Sequence, residues 1–390
     1  MLNNVKIKKA LKSTVFKPLN LVNNMISKDD NLILLHISNY GIRHNLKPIK
    51  EYLIKNEYFK KYKIVCGIED LKYADNDSDK VKYVTFIKSI WYFLHAKHVF
   101  YTAGQIPIKP SKDQIVIQMD HGAAAFKTGG ALSKINNGDE FYFTYILAPS
   151  KLYVPILQKE YLCSEENVII CGEPMTDMLF EPIKKYDLGN YDKILLWMPT
   201  FRQSEYLNYN DSNEGLLPMF KIDEYFELDK ILKSYNYKMI VKLHTAQNID
   251  ELSKIPYKEF SHLEILTNDE FNEKGYEIYE LMKQVDAFLG DYSSVSLHFL
   301  FIDKPMAFII PDIEEYKEKR GFVFEKPEDY MAGALIKEKI ELYSFFECLS
   351  KNIDSYKQKR ANVKKEIFKH NDGRNTERAL EISGIKICDA

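Results

Sequence analysis

Two histidines in this chain stand directly after apolar runs, where a strand would end and a turn would expose an imidazole. His121 lies in Gln118-Met-Asp-His-Gly122-Ala-Ala-Ala-Phe-Lys127-Thr-Gly-Gly130, after the run QIVIQM. A glycine next to it leaves bare backbone that a substrate can approach closely. With an ordinary pKa of about 6.5, such an imidazole can be neutral near pH 7 and accept a proton from an attacking hydroxyl. Asp120 is placed to orient the ring. The other reading is a histidine that only satisfies a turn. His244 closes Lys242-Leu-His, after YKMIV. Protonated, it could stabilise charge building on a leaving phosphate, while a buried structural histidine fits equally well.

Two further strings carry anion-binding chemistry. In Trp197-Met-Pro-Thr200-Phe-Arg202 a hydroxyl and a guanidinium follow a strand-like run. Arg202 offers a fork of donors suited to phosphate oxygens and Thr200 a shorter one, although an ordinary salt bridge would use Arg202 as well. In AFLG-Asp291-Tyr-Ser293-Ser294-Val-Ser296 the hydroxyls fall at a strand-to-helix junction, where donors and the helix dipole would hold a diphosphate. A plain helix cap at Ser293 or Ser294 is the other reading, and it is compatible with phosphate binding. Glu315, in Asp312-Ile-Glu-Glu315-Tyr-Lys, could accept from ribose or polyol hydroxyls or simply face solvent.

The elements that must position these residues follow from the pattern around them. From Asn31, strand-like runs (NLILLHIS, YKIVCGI, HVFYT, QIVIQM, YILAPS, NVIICG) alternate with amphipathic stretches, including a helix over 47–56. After the polar stretch 181–191 the rhythm restarts with KILLWMP, YKMIVKLH, LEILTN, AFLGDYS and PMAFIIP. Alternation of this kind predicts parallel sheets built from βαβ units, here in two doubly wound domains meeting near residue 185 with a cleft. The chain's 390 residues favour two domains as well. The Lys-rich region after residue 337 reads as C-terminal helices. In open α/β sheets ligands sit beyond the carboxyl ends of strands, which is where the chemistry-bearing residues fall.

Residues 1–28 hold Lys6, Lys8, Lys9, Lys12, Lys17 and Lys28 with no acidic residue, interleaved with apolar positions at helical spacing. Such a segment suits the surface of an anionic membrane, with Pro18 breaking it midway and a packed surface helix as the alternative. A net charge of -2 supplies no basic field for nucleic acid. The five cysteines lie far apart with no C-x-x-C, against a zinc site or a disulfide framework and in favour of a reducing compartment. No apolar run reaches the roughly 20 residues needed to span a bilayer, and no signal-peptide core is present, so the expected location is cytoplasmic. P-loop, dinucleotide and G-x-S-x-G signatures are absent. No carboxylate cluster marks a metal site, and both a divalent-cation requirement and the oligomeric state stay open.

Taken in order, the strings resemble the CDP-glycerol glycerophosphotransferase family of teichoic acid and capsule synthesis. HGAAAFKTGG is similar to its His-Gly-x-x-x-Lys-x-x-Gly loop, and Gly172-Glu-Pro174-x-x-Asp177 to its Gly-x-Pro-x-x-Asp signature. ISNYGIRHNLKPIKEYL, MPTFR, KLH, GDYSSV, DKP, DIEEYKEKRGF and His370-Asn-Asp-Gly373-Arg-Asn-Thr-x-Arg378 complete the series. The resemblance implies an α/β, GT-B-like architecture of two Rossmann-like doubly wound domains facing a cleft. Its parts would be a membrane-contact segment (1–30), an acceptor domain (31–184), a CDP-donor domain (185–372) and a C-terminal tail (373–390).

By the same resemblance His121 is the base that activates the acceptor hydroxyl, with Asp120, Gly122 and Lys127 on the acceptor side or behind it. His244 would sit at the donor diphosphate with Thr200, Arg202, Asp291, Ser293, Ser294 and Glu315. The implied reaction moves glycerol phosphate from CDP-glycerol onto a polymer or polyprenyl-linked primer at the inner face of the plasma membrane, releasing CMP. The same strings leave room for CDP-ribitol as donor, for a nucleotide-sugar glycosyltransferase on the same fold, and for a non-catalytic scaffold. Two departures stand out: Asp120 replaces the Trp common before the first His-Gly, and Thr245 replaces the usual Pro after the second histidine.

Overall fold

The structure is a computed structural model that describes residues 16–38, 41–134, 140–204 and 209–386. The chain divides into two compact units: 1–124, 130–180 and 368–390 form the first, 125–129 and 181–367 the second. The division thus falls a few residues before the expected 185. The last stretch is also no free tail, because the helix Asn375–Ile382 returns to the first unit and buries Ala379 and Leu380 in its core.

The first unit is a seven-stranded parallel sheet. Its strands are β1 (Asp29–His36), β2 (Lys63–Ile68), β3 (Lys82–Thr85), β4 (Ala96–Tyr101), β5 (Ile115–Gln118), β6 (Tyr145–Ala148) and β7 (Val168–Ile170), in the order β3-β2-β1-β4-β5-β6-β7. Along β1 the odd residues Ile33 and Leu35 enter one core, with Leu46, Ile49 and Leu53 of the helix Leu46–Lys55. The even residues Leu32 and Leu34 enter another, with Tyr92 and Phe93 of the helix Phe86–His95. Burial on both faces is why these strands read as continuous apolar runs rather than alternating ones. The order reverses between β1 and β4, which makes their carboxyl ends the topological switch point.

Of the basic N-terminal segment, residues 1–15 lie outside the described residues. The helix Lys17–Met25 carries Pro18 in its first turn, where a missing N–H costs nothing, rather than at a mid-segment break. Leu19 packs on the second core, and buried Asn23 donates to the Lys109 carbonyl and to Gln114. Leu21 and Met25 remain 71% and 85% exposed.

The second unit is a six-stranded parallel sheet with a short hairpin. Its strands are β8 (Lys193–Trp197), β9 (Gln203–Ser204), β10 (Tyr209–Asn210), β11 (Tyr237–Lys242), β12 (Leu263–Leu266), β13 (Ala287–Gly290), β14 (Met306–Ile309) and β15 (Ala334–Ile336). β9 and β10 pair antiparallel, and the main sheet runs β12-β11-β8-β13-β14-β15. Counted from β8 this is the doubly wound order, with its switch point between β8 and β13. Leu195, Trp197, Met239, Val241 and Leu289 pack against Leu228 and Leu232 on one side of the sheet and Leu342 and Phe346 from the helix Lys339–Ser350.

Candidate active site

At the end of β5 the chain turns through Asp120 at φ 53° and Gly122 at φ 146°. The first is a left-handed position that aspartate tolerates better than most residues, and the second one that side chains rarely adopt. The turn leaves the His121 side chain 68% exposed, with Nδ1 2.5 Å from Asp120 Oδ1. The second carboxylate oxygen accepts the Tyr161 hydroxyl at 2.7 Å. Thr102 Oγ1 and Asn45 Nδ2 both donate to the Asp120 carbonyl, and Asn45 also ties down the Met119 carbonyl at 2.9 Å. Burial works against charge on Asp120, but the His121 imidazole and the Tyr161 hydroxyl outweigh it and hold the carboxyl well below its usual range. An ionised carboxylate facing Nδ1 fixes the tautomer in which the proton is on Nδ1 and the lone pair on Nε2. The His44 ring lies edge-on to His121 at 6.2 Å.

In the second unit Thr200, Arg202 and Asp291 meet at the switch point, but not as ligands waiting for a phosphate. Arg202 is fully buried; Nε and Nη2 donate to the two oxygens of Asp312 at 2.7 and 3.2 Å, and Nη1 to Asp291 at 2.6 Å. Its guanidinium lies 4.9 Å from the Tyr292 ring centre and 5.5 Å from that of Tyr316. Burial opposes the charges, yet Arg202 holds Asp312 below the usual carboxylate range. Thr200 donates its hydroxyl to Asp291 Oδ1 at 2.5 Å and its backbone N–H to Oδ2 at 2.9 Å. The expectation that Thr200, Arg202 and Asp291 contact the donor directly is therefore corrected. Their donors and acceptors are spent on one another, and their work is to lock the loops after β8, β13 and β14 together.

Glu315 also differs from its expected role. Its carboxylate accepts from Asn213 Nδ2 and from Lys319 Nζ, each at 2.7 Å, and so braces a loop rather than awaiting a sugar hydroxyl. What the buried network leaves near solvent is a different set. Ser293 and Ser294 are partly exposed at the start of the helix Ser294–His298. Ser293 is its N-cap residue by position but makes no side-chain cap bond. His244, exposed beyond β11, accepts the Ala246 N–H on Nδ1 at 3.0 Å and lies 4.7 Å from the Phe201 ring. Because a backbone N–H can only donate, Nδ1 is the acceptor in this contact, which leaves Nε2 as the ring position for a proton.

The His-Gly-x-x-x-Lys loop is split by the fold. His121 and Gly122 belong to the first unit, but residues 125–129 belong to the second. There Lys127 pairs in an antiparallel bridge with Phe322, and Val323 donates to the Phe126 carbonyl at 2.8 Å. Burial and the Arg320 guanidinium push the Lys127 ammonium down to about 8, against the pull of Asp291 and Asp211. Lys127, expected on the acceptor side, thus belongs with the charged cluster of the second unit. Among the described residues no group of three or more His, Cys, Asp or Glu is arranged to hold a metal ion.

The residues that sequence reasoning passed over are the partners: Tyr161, Asn45 and Thr102 around Asp120, and Asp312, Tyr292 and Tyr316 around Arg202. Asp312 stood inside a noted string without a role. The others carry no local signal, since 41 residues separate Tyr161 from Asp120 and 110 separate Asp312 from Arg202.

Two parallel sheets in the Rossmann order, the second with its motif residues gathered at the strand reversal, define a two-unit Rossmann-like α/β protein. The chain belongs to the CDP-glycerol:poly(glycerophosphate) glycerophosphotransferase family, whose profile it matches over residues 18–382. It is 25% identical over 294 residues to the teichoic acid ribitol-phosphate polymerase TarK of Staphylococcus aureus, covering 71% of this chain and 53% of that protein. To the teichoic acid glycerol-phosphate primase of Bacillus subtilis it is 29% identical over 189 residues, 46% of this chain and 43% of that one. The chain spans about half the length of the first of these relatives. Its fold is similar to that of the wall teichoic acid polymerase TagF, with a TM-score of 0.72 at 18% identity over 97% of this chain and 94% of that one. A UDP-N-acetylglucosamine 2-epimerase from Listeria monocytogenes shares the fold more distantly, with a TM-score of 0.55 at 11% identity over 91% and 96%.

Proposed function

We propose that this protein transfers glycerol phosphate from CDP-glycerol to a hydroxyl of a cell-surface polymer or a lipid-linked primer, releasing CMP. The observation that carries the chemistry is the exposed His121 with its Nδ1 held by the ionised Asp120. In this reading Nε2 takes the proton of the acceptor hydroxyl as its oxygen attacks the phosphorus that bears glycerol. The bond from that phosphorus to the CMP oxygen breaks, and CMP leaves. Donor binding falls to the second unit, where Ser293, Ser294 and the Nε2–H of His244 supply neutral donors and Lys127 the cation. In-line phosphoryl transfer asks the protein mainly for positioning and charge stabilisation, which such groups provide.

A second reading replaces glycerol by ribitol. It is favoured by the relatives named as ribitol-phosphate polymerases and primases, at about the same identity as those named for glycerol phosphate. We further propose that the protein works at the inner face of the plasma membrane, the exposed Leu21 and Met25 adding apolar contact to the lysines of the N-terminal segment. Among the described residues no helix is long and apolar enough to cross a membrane. The test is thermal stabilisation by CDP-glycerol, CDP-ribitol and nucleotide sugars, because a ligand bound only by the folded state raises its melting point, followed by acceptor-dependent CMP release. Stabilisation by CDP-ribitol alone shifts the donor; stabilisation only by a nucleotide sugar ends the proposal.

A further inference from the structure

We infer that Tyr161 is a positioning residue for His121, acting through Asp120 in a relay Tyr161–Asp120–His121. The inference rests on the reading of His121 as the base and explains what holds that base in place.

The geometry has three parts. Asp120 uses one oxygen for His121 Nδ1 at 2.5 Å and the other for the Tyr161 hydroxyl at 2.7 Å, so its carboxylate is gripped from both sides. Tyr161 is itself immobilised. It is the last residue of the helix Val154–Tyr161, which Leu162 stops in the left-handed conformation at φ 52°. Its ring packs edge-on against Phe141 at 4.9 Å and Phe143 at 5.9 Å. The backbone of Asp120, held by Thr102 and Asn45, cannot swing to release the pair. Tyr161 can only be the donor in this contact, since burial and the facing carboxylate push its hydroxyl pKa well up. The proton therefore stays on the phenol, and the aspartate remains an anion facing the imidazole. By drawing on part of that charge, the hydroxyl limits how basic the carboxylate makes His121.

Among the described residues the titratable groups that face the relay include His44 beside the His121 ring, and Glu160 and Cys163 beside Tyr161. None of them is altered in the test. In Tyr161→Phe the carboxylate loses one donor and turns its charge more fully on His121. The acidic limb of the kcat/KM–pH profile then moves up by roughly half a pH unit, and kcat falls several-fold with KM for the donor unchanged. A merely structural tyrosine would lower kcat at every pH without moving the limb, and that outcome overturns the proposal. A second measurement needs no substrate and no change at Tyr161 or Asp120. Nitrogen-15 spectra of the wild-type imidazoles, with His121 assigned by His121→Gln, should show the proton on Nδ1 above the His121 transition. A His121 signal with the proton on Nε2 refutes the relay. Failure of the transferase reading is distinct from this, because it would appear as no CMP release while the Nδ1 signal stays in place.

Discussion

His121 and Arg202 each pair with an aspartate at the end of a parallel strand, yet one is 68% exposed and the other has no exposed surface. Around His121 the Asp120 carboxylate meets Nδ1 of a ring that stays largely exposed. Around Arg202 two carboxylates, a hydroxyl and two aromatic rings close over the cation. Similar ion pairs therefore sit in different settings: the first leaves its imidazole at the surface, and the second joins three loops. The comparison teaches that residue type and strand-end position mark a neighbourhood, while burial decides whether a residue's hydrogen bonds are spent inside the protein.

The largest effect that could break the contrast is on rate. His121→Ala should lower CMP release by about 10²–10⁴-fold and leave stability within roughly 0.5 kcal/mol, as for an exposed side chain. A variant that released CMP at the wild-type rate would remove His121 from the chemistry and make the two pairs alike. Arg202→Ala tests the other side. It leaves Asp291 and Asp312 buried without their cation, and removing one partner of a buried pair costs about 3–5 kcal/mol. The chain's two tryptophans make this readable unit by unit. In a Trp91→Phe background the buried Trp197 alone reports urea unfolding of the second unit. An unchanged midpoint would mean that the network contributes little and that Arg202 is available for other work.

His36 sharpens the comparison with a third environment. At the end of β1 it is buried against Phe86 and Tyr101, each ring 5.8 Å away, and neither of its nitrogens has a hydrogen-bond partner. Burial lowers its pKa from 6.5 to about 4. The unfolded chain therefore binds a proton between those values that the folded chain refuses. Stability from this residue is whole above about pH 6.5 and is lost as the pH falls towards 4, by roughly 3 kcal/mol. His36→Phe should flatten the unfolding free energy of the first unit across that window. If the acid-side slope survived the substitution, burial would not be what sets this histidine apart from His121.

Much of this was legible in the residues. The two doubly wound sheets followed from eleven apolar runs, all of which became strands, because strands buried on both faces must be apolar throughout. The pattern missed β3 and β15, both at sheet edges, where Lys82 is exposed and Ala334 and Leu335 are only half-buried. Strand ends marked the neighbourhoods of His121, His244, Arg202 and Ser293 because in such folds loops gather at carboxyl ends. What the residues did not disclose was which polar groups would spend their hydrogen bonds internally. Arg202 looked like a phosphate ligand because its two carboxylate partners lie 89 and 110 residues away. Lys127 looked like part of the His121 loop because nothing local shows the chain passing from one unit to the other within six residues.

The smallest effect probes the boundary between these two kinds of residue. Ser293 stands at the N-cap position, where replacing a capping serine by alanine ordinarily costs about 1 kcal/mol. Here the hydroxyl makes no cap bond, so Ser293→Ala should leave the unfolding midpoint of the second unit in place. If that hydroxyl instead donates to the donor's diphosphate, its loss should weaken donor binding by about 1 kcal/mol, several-fold in Kd, the ordinary worth of one neutral hydrogen bond. Titration calorimetry with CDP-glycerol reads the second quantity and Trp197 fluorescence the first. A lowered midpoint with unchanged donor affinity would place Ser293 beside Arg202, among the residues whose bonds serve the fold.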